Sequence, residues 1–107
     1  MREVAYEHEL GLGAFLRVYF RRERKQILSF MVQLECEYGG ERHSVIRYDT
    51  SHGFAHCDML HPYRPQVKVV LEMSFEDAFM YAQRDISSHW QFYRERYETW
   101  LITSRKS

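Results

Sequence analysis

The chain has 107 residues, of which 45% are hydrophobic and 28% charged, and its formal net charge is zero. That length supports one domain around one core and excludes a cleft between two lobes, and the composition is that of a folded chain rather than a disordered one. Zero net charge excludes a global field that would draw the molecule onto nucleic acid or an acidic membrane, so any such binding needs a local patch.

The opening MREVAYEHELG is charged throughout and has no apolar secretory core. With only two cysteines, Cys36 and Cys57, and no Cys-x-x-Cys pair, this points to a reduced, cytoplasmic protein. A single disulfide stays open, but both cysteines fall in expected strands, where they serve most simply as small core residues. No run approaches the ~18 apolar residues that span a bilayer, so no membrane partner is expected.

The first expected strand is residues 14–21, where Ala14, Leu16, Val18 and Phe20 point one way and Phe15, Arg17, Tyr19 and Arg21 the other. The polar RERK leads into a second strand, 26–38, with Leu28, Phe30, Val32, Leu34, Cys36 and Tyr38 on one face. Around this hairpin Arg17, Arg21, Arg22, Arg24 and Lys25 crowd together, either as a solvated turn tip or as a candidate nucleic-acid-binding edge. Gly39-Gly40 predicts a two-residue turn of the primed kind.

The third strand, 41–49, places Ile46 and Tyr48 on one face and His43, Val45, Arg47 and Asp49 on the other. TSHG breaks the alternation, and FAHCDML resumes it as a short fourth strand with His56 and Asp58 on one side. His61-Pro62 and Pro65 end that strand, because proline donates nothing to a ladder. QVKVVLE is the fifth.

After Met73 the period becomes helical. Ser74 is placed to N-cap, Glu76 and Asp77 occupy the first turn, and apolar residues recur from Phe75 to Leu101. Ser87 and Ser88 favour a break into two helices over one long one. The expected fold is therefore α+β, a single domain over 1–107. About five antiparallel strands over roughly 14–72 form a meander covered by one or two C-terminal helices over roughly 74–103. Trp90, Phe92, Tyr93, Tyr97 and Trp100 are many rings for one packed face. Trp90, Tyr93, Tyr97 and Trp100 are thus candidate residues for binding a partner protein or a second copy in a homodimer.

The segment RYDTSHGFAHCDMLHP, residues 47–62, holds three of the six histidines. If strands three and four pair across the 50–54 turn, Arg47 and Asp49 come beside His56 and Asp58 on the face away from the helices, with His52 in the turn. Three readings compete. His52, His56, Asp58 and His61 are competent metal ligands, but their spacing matches no zinc signature, so no metal and no cofactor is assigned. His56 paired with His52 or His61, one removing a ribose 2′-hydroxyl proton and the other protonating the leaving 5′-oxygen, with Arg47 holding the phosphate, would make a metal-independent ribonuclease. The third reading is a polar sheet face that needs no ligand.

The charged hairpin, the stretch VIRYDTSHGFAHCDMLHP and a helix opening SFEDAF together resemble the TumE-like toxins and related uncharacterised small families. The likeness covers residues 14–85. That group carries an arginine-tyrosine-aspartate strand end followed by a histidine-rich segment, matched here by Arg47, Tyr48, Asp49, His52, His56 and His61. The resemblance implies a prokaryotic toxin that partners a helix-turn-helix antitoxin and acts on nucleic acid or its machinery. The expected catalytic set is Arg47, Asp49, His52, His56, Asp58 and His61, with RNA as the expected substrate. A non-catalytic interaction module and a metal-binding enzyme stay open as alternatives.

Overall fold

The computed structural model describes residues 1–103, in which six strands precede one long helix. The strands are β1 (Arg2–Gly11), β2 (Ala14–Glu23), β3 (Gln26–Tyr38), β4 (Glu41–Asp49), β5 (His56–Met59) and β6 (Val67–Val70), and the helix is α1 (Phe75–Thr103). Each strand pairs antiparallel with the next, giving one meander in the order β1-β2-β3-β4-β5-β6. This is an α+β fold of the expected kind, with one strand more than the five expected.

The additional strand is β1. Its apolar signal is thin, with Val4, Tyr6 and Leu10 alternating among charges, because it is an edge strand with little buried surface. Turn chemistry sets the two long hairpins. Glu23 pairs with Gln26, leaving Arg24 and Lys25 as a two-residue turn in which Arg24 takes a left-handed φ of 55°. Gly39 and Gly40 turn with φ of 58° and 82°, the two positive values a primed turn needs.

Ala14, Leu16 and Val18 of β2, Phe30, Val32, Leu34 and Cys36 of β3, and Ile46, Tyr48 and Cys57 form the buried face of the sheet. Against it α1 sets Ala78, Ala82, Ile86 and Tyr97; the two alanines let the helix backbone come close. The helix begins as its sequence predicts, the Ser74 hydroxyl accepting from the Asp77 amide at 3.1 Å. It does not break at Ser87 and Ser88. Both serines face solvent and the apolar stripe runs past them, so continuity costs nothing in the core.

A bulge in β4 corrects a second expectation. Leu34 pairs with Ile46 but Glu35 pairs with Ser44, so Val45 is the extra residue and the face reverses there. His43 therefore lies on the helix side, with Nδ1 3.3 Å from the Tyr97 hydroxyl, and not on the face of Arg47 and Asp49.

The two ends of the sheet differ. At one end lie the Arg24-Lys25 turn, the β4–β5 turn and the start of α1, where Glu76 accepts the Ile27 amide at 2.7 Å. At the other the helix meets the β1–β2 and β3–β4 turns: Arg94 donates to the Leu12 carbonyl at 2.8 Å, and the Tyr38 hydroxyl donates to the Arg94 carbonyl at 2.8 Å.

Candidate functional site

Antiparallel pairing of β4 with β5 sets Arg47 opposite Asp58 and Asp49 opposite His56. Four of the six expected catalytic residues thus meet on adjacent rungs of the face away from the helix. The face is not open there. The His56 side chain is fully buried and Asp58 is 2% exposed, because β6 pairs outside β5 and the turn before β5 folds back over the ladder.

That turn is a short 3-10 segment, Ser51–Gly53, in which His52 has a φ of 76° and Gly53 of 84°. Two successive left-handed residues reverse the chain sharply. They bring the Phe54 ring to 5.5 Å and the His52 ring to 6.0 Å from that of His56. His52 is exposed, so it is the histidine of this cluster that a ligand at the surface meets first. A side chain with a Cβ at such a φ stores backbone strain, a feature that concentrates at functional turns.

Each ring nitrogen of His56 has a distinct neighbour. Nδ1 lies 3.3 Å from the Phe54 carbonyl, which can only accept. Nε2 lies 2.7 Å from Asp49 Oδ1 and 3.6 Å from Asp58 Oδ2. Asp49 Oδ1 is itself held by the Ser51 amide at 3.1 Å and the Ser51 hydroxyl at 2.9 Å. Asp49, His56 and Asp58 each offer one ligand atom, all within 4.8 Å of one another; they are the residues able to hold a metal ion among those described.

Arg47 is steered sideways by β3. Its Nε donates to Gln33 Oε1 at 2.7 Å, and the Gln33 amide in turn donates to the buried Glu35. Glu35 also takes Arg17 at 3.0 Å and Arg42 at 3.5 Å, and Arg42 reaches Glu7 at 2.7 Å. A polar network thus crosses the sheet from β4 to β1. It fixes the Arg47 stem and balances the buried Glu35.

On the helix side, directly beneath Tyr48, lies a cluster that the sequence reading missed. Asp85 Oδ2 accepts from the Tyr48 hydroxyl at 2.6 Å and the Tyr93 hydroxyl at 2.7 Å, and His89 Nδ1 lies 3.0 Å from Oδ1. Burial, followed by the bond to Asp85, pushes both phenols far above the ordinary tyrosine pKa. Asp85, His89 and Tyr93 share one helix face at spacings of four, and that periodicity is the signal available in the sequence. Nearby, burial raises the Cys57 thiol to about 12, which makes it a core residue and no nucleophile at neutral pH.

The remaining expected residues lie elsewhere. The His61 ring is 4.7 Å from that of Trp100, where partial burial and then the Arg64 charge hold its pKa below the ordinary histidine value. Arg17 is ion-paired with Glu35 and Arg21 lies 3.7 Å from Glu3, while Arg22, Arg24 and Lys25 are at the β2–β3 tip. Among the expected partner-binding rings, Tyr97 is buried and stacked on Tyr38, and Tyr93 is bonded to Asp85. Trp90 and Trp100 pack partly against the core. All four serve the intramolecular interface.

A family model described as a domain of unknown function, DUF7718, matches residues 1–103. No curated protein and no solved structure matches the chain.

Proposed function

The chain belongs to the DUF7718 family, and within it we propose that this protein acts on a phosphodiester of RNA, as a toxin-like nuclease. The reading rests on one observation: the β4–β5 register sets Arg47, Asp49, His56 and Asp58 side by side beneath an exposed His52. In this reading His52 moves the proton at the mouth, Arg47 offsets charge on the phosphate, and the buried triad behind them positions the turn. A proton exchange between His56 and His61 gains no support, since one is buried and the other stacks on Trp100.

The β2–β3 hairpin supports the nucleic-acid half. Met31 pairs with Asp49, so residues 26–30 of β3 run on past the end of β4, by about 15 Å at the usual strand rise. Arg22, Arg24 and Lys25 cap this projection at the same end of the sheet as the His52 turn. A strand lying across the mouth meets both. A helix-turn-helix antitoxin is the partner that the TumE-like resemblance implies, and its coding sequence beside this one would favour the reading.

The test is induced expression of wild type, His52→Ala and Arg47→Ala, following growth and RNA integrity. Wild type is expected to slow growth and degrade RNA, with both effects lost in each variant. Equal growth and intact RNA in all three overturn the proposal.

A further inference from the structure

We propose that Asp49, His56 and Asp58 bind one divalent transition-metal ion through Nε2 of His56 and one oxygen from each carboxylate. The inference concerns the same pocket as the phosphodiester reading and deepens it, but its evidence stands apart from any activity.

The first observation is the imidazole. With Nδ1 3.3 Å from the Phe54 carbonyl, the ring presents Nε2 to Asp49 and Asp58, two groups that are themselves electron donors. Nε2 is close to Asp49 but not aligned for an N–H···O bond, and among the described residues it has no hydrogen-bond partner. A fully buried nitrogen without a partner, facing two carboxylates, calls for a cation between them.

The second observation is Asp58. Its Oδ1 is buried and also lacks a partner, while Arg47 across the ladder commits its Nε to Gln33. Two carboxylates this close, one buried and the other mostly so, repel unless a positive charge is shared. A bound cation resolves the orphaned Nε2, the orphaned Oδ1 and the repulsion together.

The surroundings are those of a ligand set. The Phe54 carbonyl lies against Nδ1 of His56, and Ser51 holds Asp49 with two hydrogen bonds, which is the outer support that metal-binding side chains require. One imidazole with two carboxylates suits zinc, manganese, iron, cobalt or nickel better than magnesium or calcium, which prefer oxygen alone. A cation at about 2.1 Å from each ligand holds the ligand atoms roughly 3–4 Å apart, so a small rotation of the Asp side chains completes the site. Three protein ligands leave at least one coordination position for water or a substrate oxygen.

The sequence hid this site because the familiar zinc patterns place ligands at fixed short spacings. Here cross-strand pairing supplies Asp49, and the alternation of β5 supplies His56 and Asp58.

The test uses the full chain purified without a histidine tag. Elemental analysis is followed by Co2+ titration of chelator-treated protein, read by visible absorbance, for wild type, His56→Gln, Asp58→Asn, Asp49→Asn and the remote control His61→Ala. We expect about one metal per chain, a Co2+ spectrum in wild type and His61→Ala, and its loss in the three site variants. Circular dichroism shows which variants are folded, and Asp49, the least buried of the three, makes Asp49→Asn the one that keeps its fold if the buried pair do not. No stoichiometric metal in wild type, or binding unchanged in folded Asp49→Asn, overturns the proposal in favour of a buried imidazolium–carboxylate pair. Metal bound with RNA left intact keeps this inference and sinks the nuclease; RNA degraded by a wild type that carries no stoichiometric metal does the reverse.

Discussion

Tyr48→Phe removes one oxygen atom and keeps the ring. Tyr48 is 4% exposed, and its hydroxyl gives Asp85 Oδ2 a bond of 2.6 Å, while Tyr93 reaches the same oxygen at 2.7 Å. A hydrogen bond to a charged group contributes about 1.5–3 kcal/mol. Since Oδ2 keeps Tyr93, the single variant belongs at the low end, at about 1.5 kcal/mol. Tyr93→Phe alone leaves Oδ2 its bond from Tyr48 and Oδ1 its contact with His89. The double variant leaves Oδ2 without either phenol, so its loss exceeds the sum of the singles by about 0.5–1 kcal/mol. Urea denaturation of the four proteins, followed by circular dichroism, measures this coupling. A Tyr48→Phe cost below about 0.5 kcal/mol, or strict additivity, would refute the view that the two phenols jointly satisfy a buried carboxylate.

Gly11→Ala drives a Cβ into Trp90 Cη2 and to 2.8 Å from Cζ2, so the indole must shift; a loss of about 1–3 kcal/mol is expected. Trp90→Leu in the same chain should recover part of it, and thermal melts of the singles and the double decide. At position 52 His52→Gly should leave stability within about 1 kcal/mol of wild type, whereas β-branched His52→Val, strained at a φ of 76°, should lose about 1–3 kcal/mol. Equal melting temperatures for the two would count against strain in the turn. Both thiols have folded pKa values above the ordinary 9.0, about 11 for Cys36 and about 12 for Cys57. The unfolded chain therefore loses its protons first. Stability is fully present below pH 9.0 and falls above it by about 1.4 kcal/mol per pH unit for each thiol. Urea midpoints taken across that range check this, and a flat profile would exclude it.

The fold was legible wherever burial imposed a period. Strict alternation in Ala14–Phe20 and Phe30–Tyr38 marked the inner face, and Gly39-Gly40 fixed the register of β3 with β4. The nearness of Arg47 and Asp49 to His56 and Asp58 followed from pairing the two strands across the 50–54 turn, whereas the exact partners came only with the structure. Three features were not legible, each for a physical reason. The edge strand β1 buries too little to enforce alternation. The Val45 bulge moves His43 to the other face without any residue that marks it. The burial of His56 depends on His52 in a left-handed conformation, which a histidine gives no reason to expect. The Asp85 cluster joins residues 37 positions apart through Tyr48, so only tertiary packing reveals it.

Helix α1 has consequences for how the molecule is made. It follows every strand in the sequence, and at 29 residues it extends about 43 Å along the sheet. The hairpins close between near neighbours and form early, whereas Ala78, Ala82, Ile86 and Tyr97 must find β2, β3 and β4 across long stretches of chain. During synthesis every strand therefore emerges before the helix that covers Val18, Val32, Leu34 and Ile46. Until the helix emerges and docks, these apolar side chains lack their native cover. In this interval the chain is most open to chaperones and to association with its own copies.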